Sequence, residues 1–253
     1  MAESADLDVE GSSAGTSPDV AHGKSSKLPA LAAVALLAVV CGAFFLWRRA
    51  QQNAAEQEAR AAISALQGLP VLDANQEHVV SLNLQLIKDE SAVKQAMEWV
   101  AKLPHLEILD ASGTAVADGD LVVVKGLRKL NSLHLNDTQV GDGCLEHIAP
   151  LRQLQGLHLS GTAVTDEGMS QISQLSSLLH LDLSGTSIGS GLAELAGHEN
   201  LTWLLLREIP ADAPVWNEVP KLASVKRLTV SDVESRPEFV EKLKAELPGR
   251  TID

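Results

Sequence analysis

From about residue 76 onward the chain repeats itself with a period of 24 residues. Four consecutive units align without gaps: LPHLEILDASGTAVADGDLVVVKG (103–126), LRKLNSLHLNDTQVGDGCLEHIAP (127–150), LRQLQGLHLSGTAVTDEGMSQISQ (151–174) and LSSLLHLDLSGTSIGSGLAELAGH (175–198). The phase continues through Leu201, Leu204 and Leu206 after a one-residue deletion, then through Val225, Leu228 and Val230, and it extends backward to Val79, Leu82 and Leu84. Seven units result, the outer ones degraded. One unit of this length cannot bury its own apolar face, so the units must stack and share a continuous core. Only seven of the 253 residues are aromatic, and Phe44, Phe45 and Trp47 crowd into one stretch, so that core is aliphatic.

The shared pattern is L-x-x-L-x-L-x-x-T-x-(V/I)-x-(D/S). In Leu178, Leu181 and Leu183 the last two alternate as a strand does, pointing inward while His180 and Asp182 point outward. Thr114, Thr138, Thr162 and Thr186 fall where the chain leaves the strand, and their hydroxyls can satisfy backbone groups in the turn. Asp118, Asp142, Asp166 and Ser190 recur just before a short helical stretch, residue types that favour N-caps.

This pattern resembles the leucine-rich repeat family, L-x-x-L-x-L-x-x-N/C-x-L, with Thr in the Asn/Cys position. LHLSGTAVTDEGMSQIS (157–173) is similar to the ribonuclease-inhibitor-like repeats, and above all to bacterial relatives. The resemblance implies an α/β solenoid, a right-handed arc with a parallel sheet on the concave face and short helices on the convex face, serving as a protein-binding scaffold. The sequence departs from the pattern where Ile209 and Val233 replace the turn Thr and where Pro210, Pro214 and Pro220 disfavour helix. The first unit is also longer. The repeat domain is expected over residues 76–253, with a C-terminal cap from about residue 222: an amphipathic helix carrying Phe239, Val240, Leu243 and Leu247, then a short strand at Arg250–Ile252.

Ahead of the repeats, residues 1–27 are Ser, Ala, Gly and Asp with few large apolar side chains and read as a disordered acidic tail. Leu28 to Trp47 holds twenty uncharged residues, long enough to cross a bilayer as one transmembrane helix, and Arg48-Arg49 stands where a signal-peptide cleavage site would lie. A single-pass, uncleaved signal anchor is expected. The flanking charges, Lys24 and Lys27 against Arg48, Arg49 and Arg60, leave the side of the membrane open. Residues 48–75 are expected to form a helical stalk and N-terminal cap, with Ala62, Leu66 and Leu69 as docking residues.

A net charge of −13 argues against nucleic acid as a partner, and two distant cysteines, Cys41 and Cys144, argue against a disulfide or Cys-rich zinc scaffold. Gly185–Gly189 matches G-x-S-x-G, but Ser187 fills the slot of Ala115, Gln139 and Ala163, and the repeat accounts for it. Projected onto a stacked sheet, one outward column reads Asn83, Asp110, His134, His158, Asp182, Leu205, Thr229 and its neighbour Ser81, Ile108, Ser132, Gly156, His180, Trp203, Arg227. Trp and Arg are the types most enriched in binding hot spots. The expected protein-binding surface is therefore Trp203, Leu205 and Arg227 with His180, Asp182, His158, His134 and Asp110. The expected function is a membrane-anchored, non-catalytic interaction scaffold without cofactor or bound metal. The alternatives are a metal-dependent enzyme using the cluster of His134, His158 and Asp182 with His180 beside it, or a self-associating envelope protein.

Overall fold

The computed structural model describes the backbone of residues 28–230 and 237–253, and the side chains of those residues from Val40 onward. The expected tail over 1–27 and the turn position Val233 lie outside the described residues. The chain divides into two compact units, Met1–Arg48 and Arg49–Asp253.

The repeat becomes a nine-stranded sheet whose spatial order is its sequence order. Its strands are β1 (Leu69–Leu72), β2 (Val79–Asn83), β3 (Ile108–Asp110), β4 (Ser132–His134), β5 (Gly156–His158), β6 (His180–Asp182), β7 (Trp203–Leu206), β8 (Arg227–Val230) and β9 (Thr251–Ile252). β1 pairs antiparallel with β2, and every later pair is parallel. The strand-centre leucines Leu109, Leu133, Leu157, Leu181, Leu204 and Leu228 lie in register and are 0% exposed. Each fully buried leucine contributes about 1.5–3 kcal/mol from transfer alone, so the aliphatic ladder supplies the core that aromatic residues do not.

The turn threonines act within their own coil. Thr114, Thr138, Thr162 and Thr186 donate through Oγ1 to the carbonyls of Ala111, Leu135, Leu159 and Leu183, each at 2.6 Å. The residue before each threonine is left-handed, with φ of +67°, +55°, +66° and +64° at Gly113, Asp137, Gly161 and Gly185. Aspartate is one of the few side chains that tolerate this region, which explains the single departure from glycine.

The recurring acids do not cap the helices that follow them. Asp118, Asp142 and Asp166 begin short 3-10 segments, and their carboxylates accept instead from the next coil: Gly141 N to Asp118 (2.7 Å), Thr165 N to Asp142 (2.9 Å) and Gly189 N to Asp166 (2.7 Å). Thr165 Oγ1 also donates to Asp142 Oδ2 at 2.7 Å. Each acid thus staples two coils. The next coil offers these N–H groups where short bridges such as Gly141↔Ala163 bring the chains together, a position an N-cap analysis of one unit does not see.

Most of the return segments are 3-10 rather than α-helical: Asp118–Gly126, Asp142–Cys144, Asp166–Gly168, Ser190–Leu195, Pro214–Asn217 and Val219–Lys221. A rise of about 2.0 Å per residue against about 1.5 Å lets few residues span the coil. The longer first unit holds a regular helix, α2 (Glu90–Val100), capped by Asp89 and burying Val93, Ala96, Met97 and Val100. Single α-turns remain at α3 (Leu145–Ile148) and α4 (Met169–Ile172).

One helix, α1 (Leu28–Ala65), runs through both the expected transmembrane segment and the expected stalk. Among the described residues no helix is long and apolar enough to cross a membrane. From Arg48 onward α1 is polar, and the side chains of residues 28–39, in the apolar run, lie outside the described set. Glu56, Ala59 and Ile63 bury α1 against the first strands, whereas Ala62 and Leu66 are only half-buried and Leu69, now on β1, is exposed. A spacing of 56, 59 and 63 follows the helical period, and the chain leaves the helix before Leu69 through Gln67 at φ +70°. At the other end β8 is still a regular rung, so the cap begins later than residue 222. It consists of α5 (Pro237–Glu246), which buries Val240 and Leu243, and of β9.

Candidate binding surface on the sheet

Both outward columns fall in the expected register, from Asn83 to Thr229 and from Ser81 to Arg227. The surface they form contains three distinct groups.

The first group is polar and self-satisfied. Asp110 accepts from Asn83 Nδ2 (3.3 Å), Gln85 Nε2 (2.9 Å) and Ser112 N (3.0 Å), so it has little capacity left for a ligand.

The second is a histidine stack. His134 and His158 lie face to face, with centroids 4.3 Å apart and planes 4° from parallel. His134 Nε2 contacts Ser132 Oγ at 2.9 Å, and the missing side chain of Gly156 leaves room beside His158. Burial, and then the neighbouring His134, push the His158 pKa down to about 4, with Asp182 opposing. His158 is therefore neutral near pH 7 and presents a flat, uncharged ring face.

The third group centres on Trp203. His180 meets its ring edge to face at 5.3 Å, the Arg227 guanidinium covers it at 4.5 Å, and its Nε1 donates to Thr229 Oγ1 at 2.9 Å. Thr229 donates onward to Asp253 Oδ1 (3.2 Å), and Asp253 holds Arg227 through Nε (3.0 Å) and a short bond from the terminal guanidinium nitrogen. Asp253 loses its proton more readily than usual, chiefly because of the Arg227 bond. Trp203 is locked on several sides yet half-exposed.

Two residues expected on this surface are not available to a partner. Leu205 is 6% exposed and Asp182 is 3% exposed. Asp182 Oδ1 accepts from Ser184 N (3.0 Å) and Ser184 Oγ (2.5 Å), and Oδ2 faces Arg207 at 3.7 Å. These bonds tie the carboxylate into the turn. His134, His158 and Asp182 consequently do not bring ligand atoms together. Among the described residues one His/Cys/Asp/Glu group does so: Glu56, His78 and His105. That group was not read from the repeat, although the β2–β3 pairing of Ser81 with Ile108 also aligns His78 with His105, three positions earlier on each side. The offset between them is that of the longer first unit.

A family model described as a leucine rich repeat matches residues 152–173, one unit of the ladder. The matched unit is one rung of the 24-residue repeat from which the sheet is built. Comparison with curated protein sequences gave no match. Among solved structures the chain is similar to an internalin C2 from Listeria monocytogenes, at 18% identity over 77% of this chain and 92% of that one, with a TM-score of 0.47. It is also similar to PEPR1-AtPEP1, at 16% identity over 73% of this chain and 25% of that one, with a TM-score of 0.43. A plant peptide hormone receptor, RGFR1 in complex with RGF2, matches at 16% identity over 64% of this chain and 24% of that one, with a TM-score of 0.38. The chain thus spans about a quarter of the length of each of these last two.

Proposed function

We propose that the chain is a membrane-anchored, non-catalytic scaffold that binds a protein partner through the outward face of its sheet, with Trp203 as the anchor residue. The observation that carries this reading is the Trp203 group. A large aromatic side chain is held by His180, Arg227 and Thr229 before any partner arrives, so little side-chain entropy is lost on binding. Aromatic and arginine anchors of this kind dominate interface energetics. His158 and His134 extend the contact surface two and three strands away, on β5 and β4. Anchoring is argued from the uncharged run Leu28–Trp47 and its basic flanks, and the membrane side that carries the repeats is left to the partner's compartment.

Crosslinking the full-length protein in its native membrane, beside a Trp203→Asp/Arg227→Ala variant, tests the reading. A foreign protein captured by the wild type and lost with the variant supports it. Equal recovery of only the protein itself from both forms overturns the Trp203 surface and favours self-association. The anchor is tested separately by alkaline extraction: deletion of residues 28–47 should release a protein that otherwise stays with the membrane pellet.

A further inference from the structure

We infer that Glu56, His78 and His105 form a binding site for a divalent first-row transition ion, zinc being the reference ion, which ties α1 to the first two rungs of the repeat ladder. The site lies on the stacked edge of the first coils and involves none of the residues of the Trp203 surface.

Three chain segments converge there. Glu56 comes from α1, His78 from the residue before β2, and His105 from the loop between α2 and β3. One potential ligand atom from each lies within 4.8 Å of the other two. Glu56 Oε2 is 3.0 Å from His78 Nδ1 and 3.7 Å from His105 Nδ1. A four-coordinate zinc ion with bonds of about 2.0–2.1 Å places its ligands roughly 3.3 Å apart, so the two measured distances lie on either side of the value a bound ion requires. Two imidazoles and one carboxylate form a donor set suited to zinc and similar ions rather than to calcium or magnesium.

The protein also treats this carboxylate as a fixed group. Glu56 is 3% exposed, an expensive position for a lone acid, and its second oxygen is held by Val79 N at 2.7 Å. An outer bond of that kind orients a ligating oxygen. His105 Nδ1 is buried and has no hydrogen-bond partner, the kind of orphaned polar atom that a metal would satisfy. The two rings are 3.7 Å apart, and two imidazolium ions cannot comfortably occupy that space. The His105 side chain is 31% exposed although its Nδ1 is buried.

The test uses the full-length protein in detergent, dialysed against chelator and titrated with Zn2+ in competition with a chromophoric chelator, with thermal melting in parallel. The expected result is one zinc per chain and a higher Tm. His105→Ala should weaken binding by more than about tenfold while leaving the circular dichroism spectrum unchanged, since that ring is partly exposed. Glu56→Gln should do the same if it folds, and His134→Ala, in the stacked pair on the sheet face, should bind as the wild type does. The inference is overturned if wild type takes up no stoichiometric zinc, if binding survives His105→Ala, or if His134→Ala abolishes it equally.

Discussion

His158 keeps its ring neutral down to about pH 4 in the folded state, against an ordinary value of 6.5. Above pH 6.5 both folded and unfolded chains carry the neutral ring, and the residue has no effect on the pH dependence. Between pH 6.5 and about 4 the unfolded chain takes up a proton that the folded chain refuses, so stability falls as pH falls through that window. Discounted for partial exposure of the ring, the loss is about 2 kcal/mol. His158→Gln should flatten the urea-midpoint profile between pH 7 and 4.5 by about that amount, and an unchanged slope would remove His158 as its source. Cys144 differs because it is fully buried, and burial with Asp118 and Asp142 nearby pushes its thiol up to about 12. A thiol reagent near pH 7 should label Cys144 only at the rate of global unfolding. Labelling on the timescale of an exposed thiol would show that the coil opens locally. At this scale the outward columns were legible in the sequence, because a strict 24-residue period sets the register. The burial of Asp182 was not, since Ser184 and Arg207 close on its carboxylate from the turn beyond the strand.

The aspartate staples give equivalent glycines different roles along the ladder. A Cβ at Gly143 would meet Asp118 Oδ2 at 2.6 Å and Asp118 Cγ at 3.2 Å, whereas one at Gly119 would meet nothing within 4 Å. The reason is positional, because Gly119 follows the first staple residue, Asp118, and has no earlier aspartate packed against it. Gly143→Ala should therefore destabilise by roughly 1–3 kcal/mol, while Gly119→Ala should be neutral or stabilising by a few tenths. Urea denaturation of the two variants checks this, and similar costs at both sites would mean that backbone conformation rather than the staple decides. Within a single repeat an aspartate before a helix reads as a cap, and only the stacked neighbour reveals the amide it serves. The same limit applies to α1: its apolar content was visible, but the docking positions Glu56, Ala59 and Ile63 depend on where the helix meets the sheet.

Over the whole ladder each coil touches little beyond its two neighbours, and energetic coupling should decay along it. Leu82→Ala and Leu228→Ala, on β2 and β8, should each cost about 2–5 kcal/mol and add to within about 0.5 kcal/mol, whereas Leu157→Ala and Leu181→Ala on adjacent strands should not. Double-mutant cycles from urea midpoints decide between this and a core that responds as one body. The sheet's open edges are blunted by different means. β1 places Pro70, which lacks an N–H, in the antiparallel edge strand, and β9 is only two residues long. The order of the strands could be read from the sequence because a tandem period admits only sequential stacking, whereas the antiparallel β1 carries no repeat signal. The unbroken register from β2 to β8 also makes the sheet a ruler. Its side-chain positions advance by one strand, about 4.8 Å, whereas an extended peptide crossing the strands presents same-face side chains about every 6.8 Å. Such a peptide falls out of step within a few rungs. A helix, whose surface neighbours lie about 5–6 Å apart, keeps pace further, so the shape of the ladder by itself discriminates between helical and extended visitors.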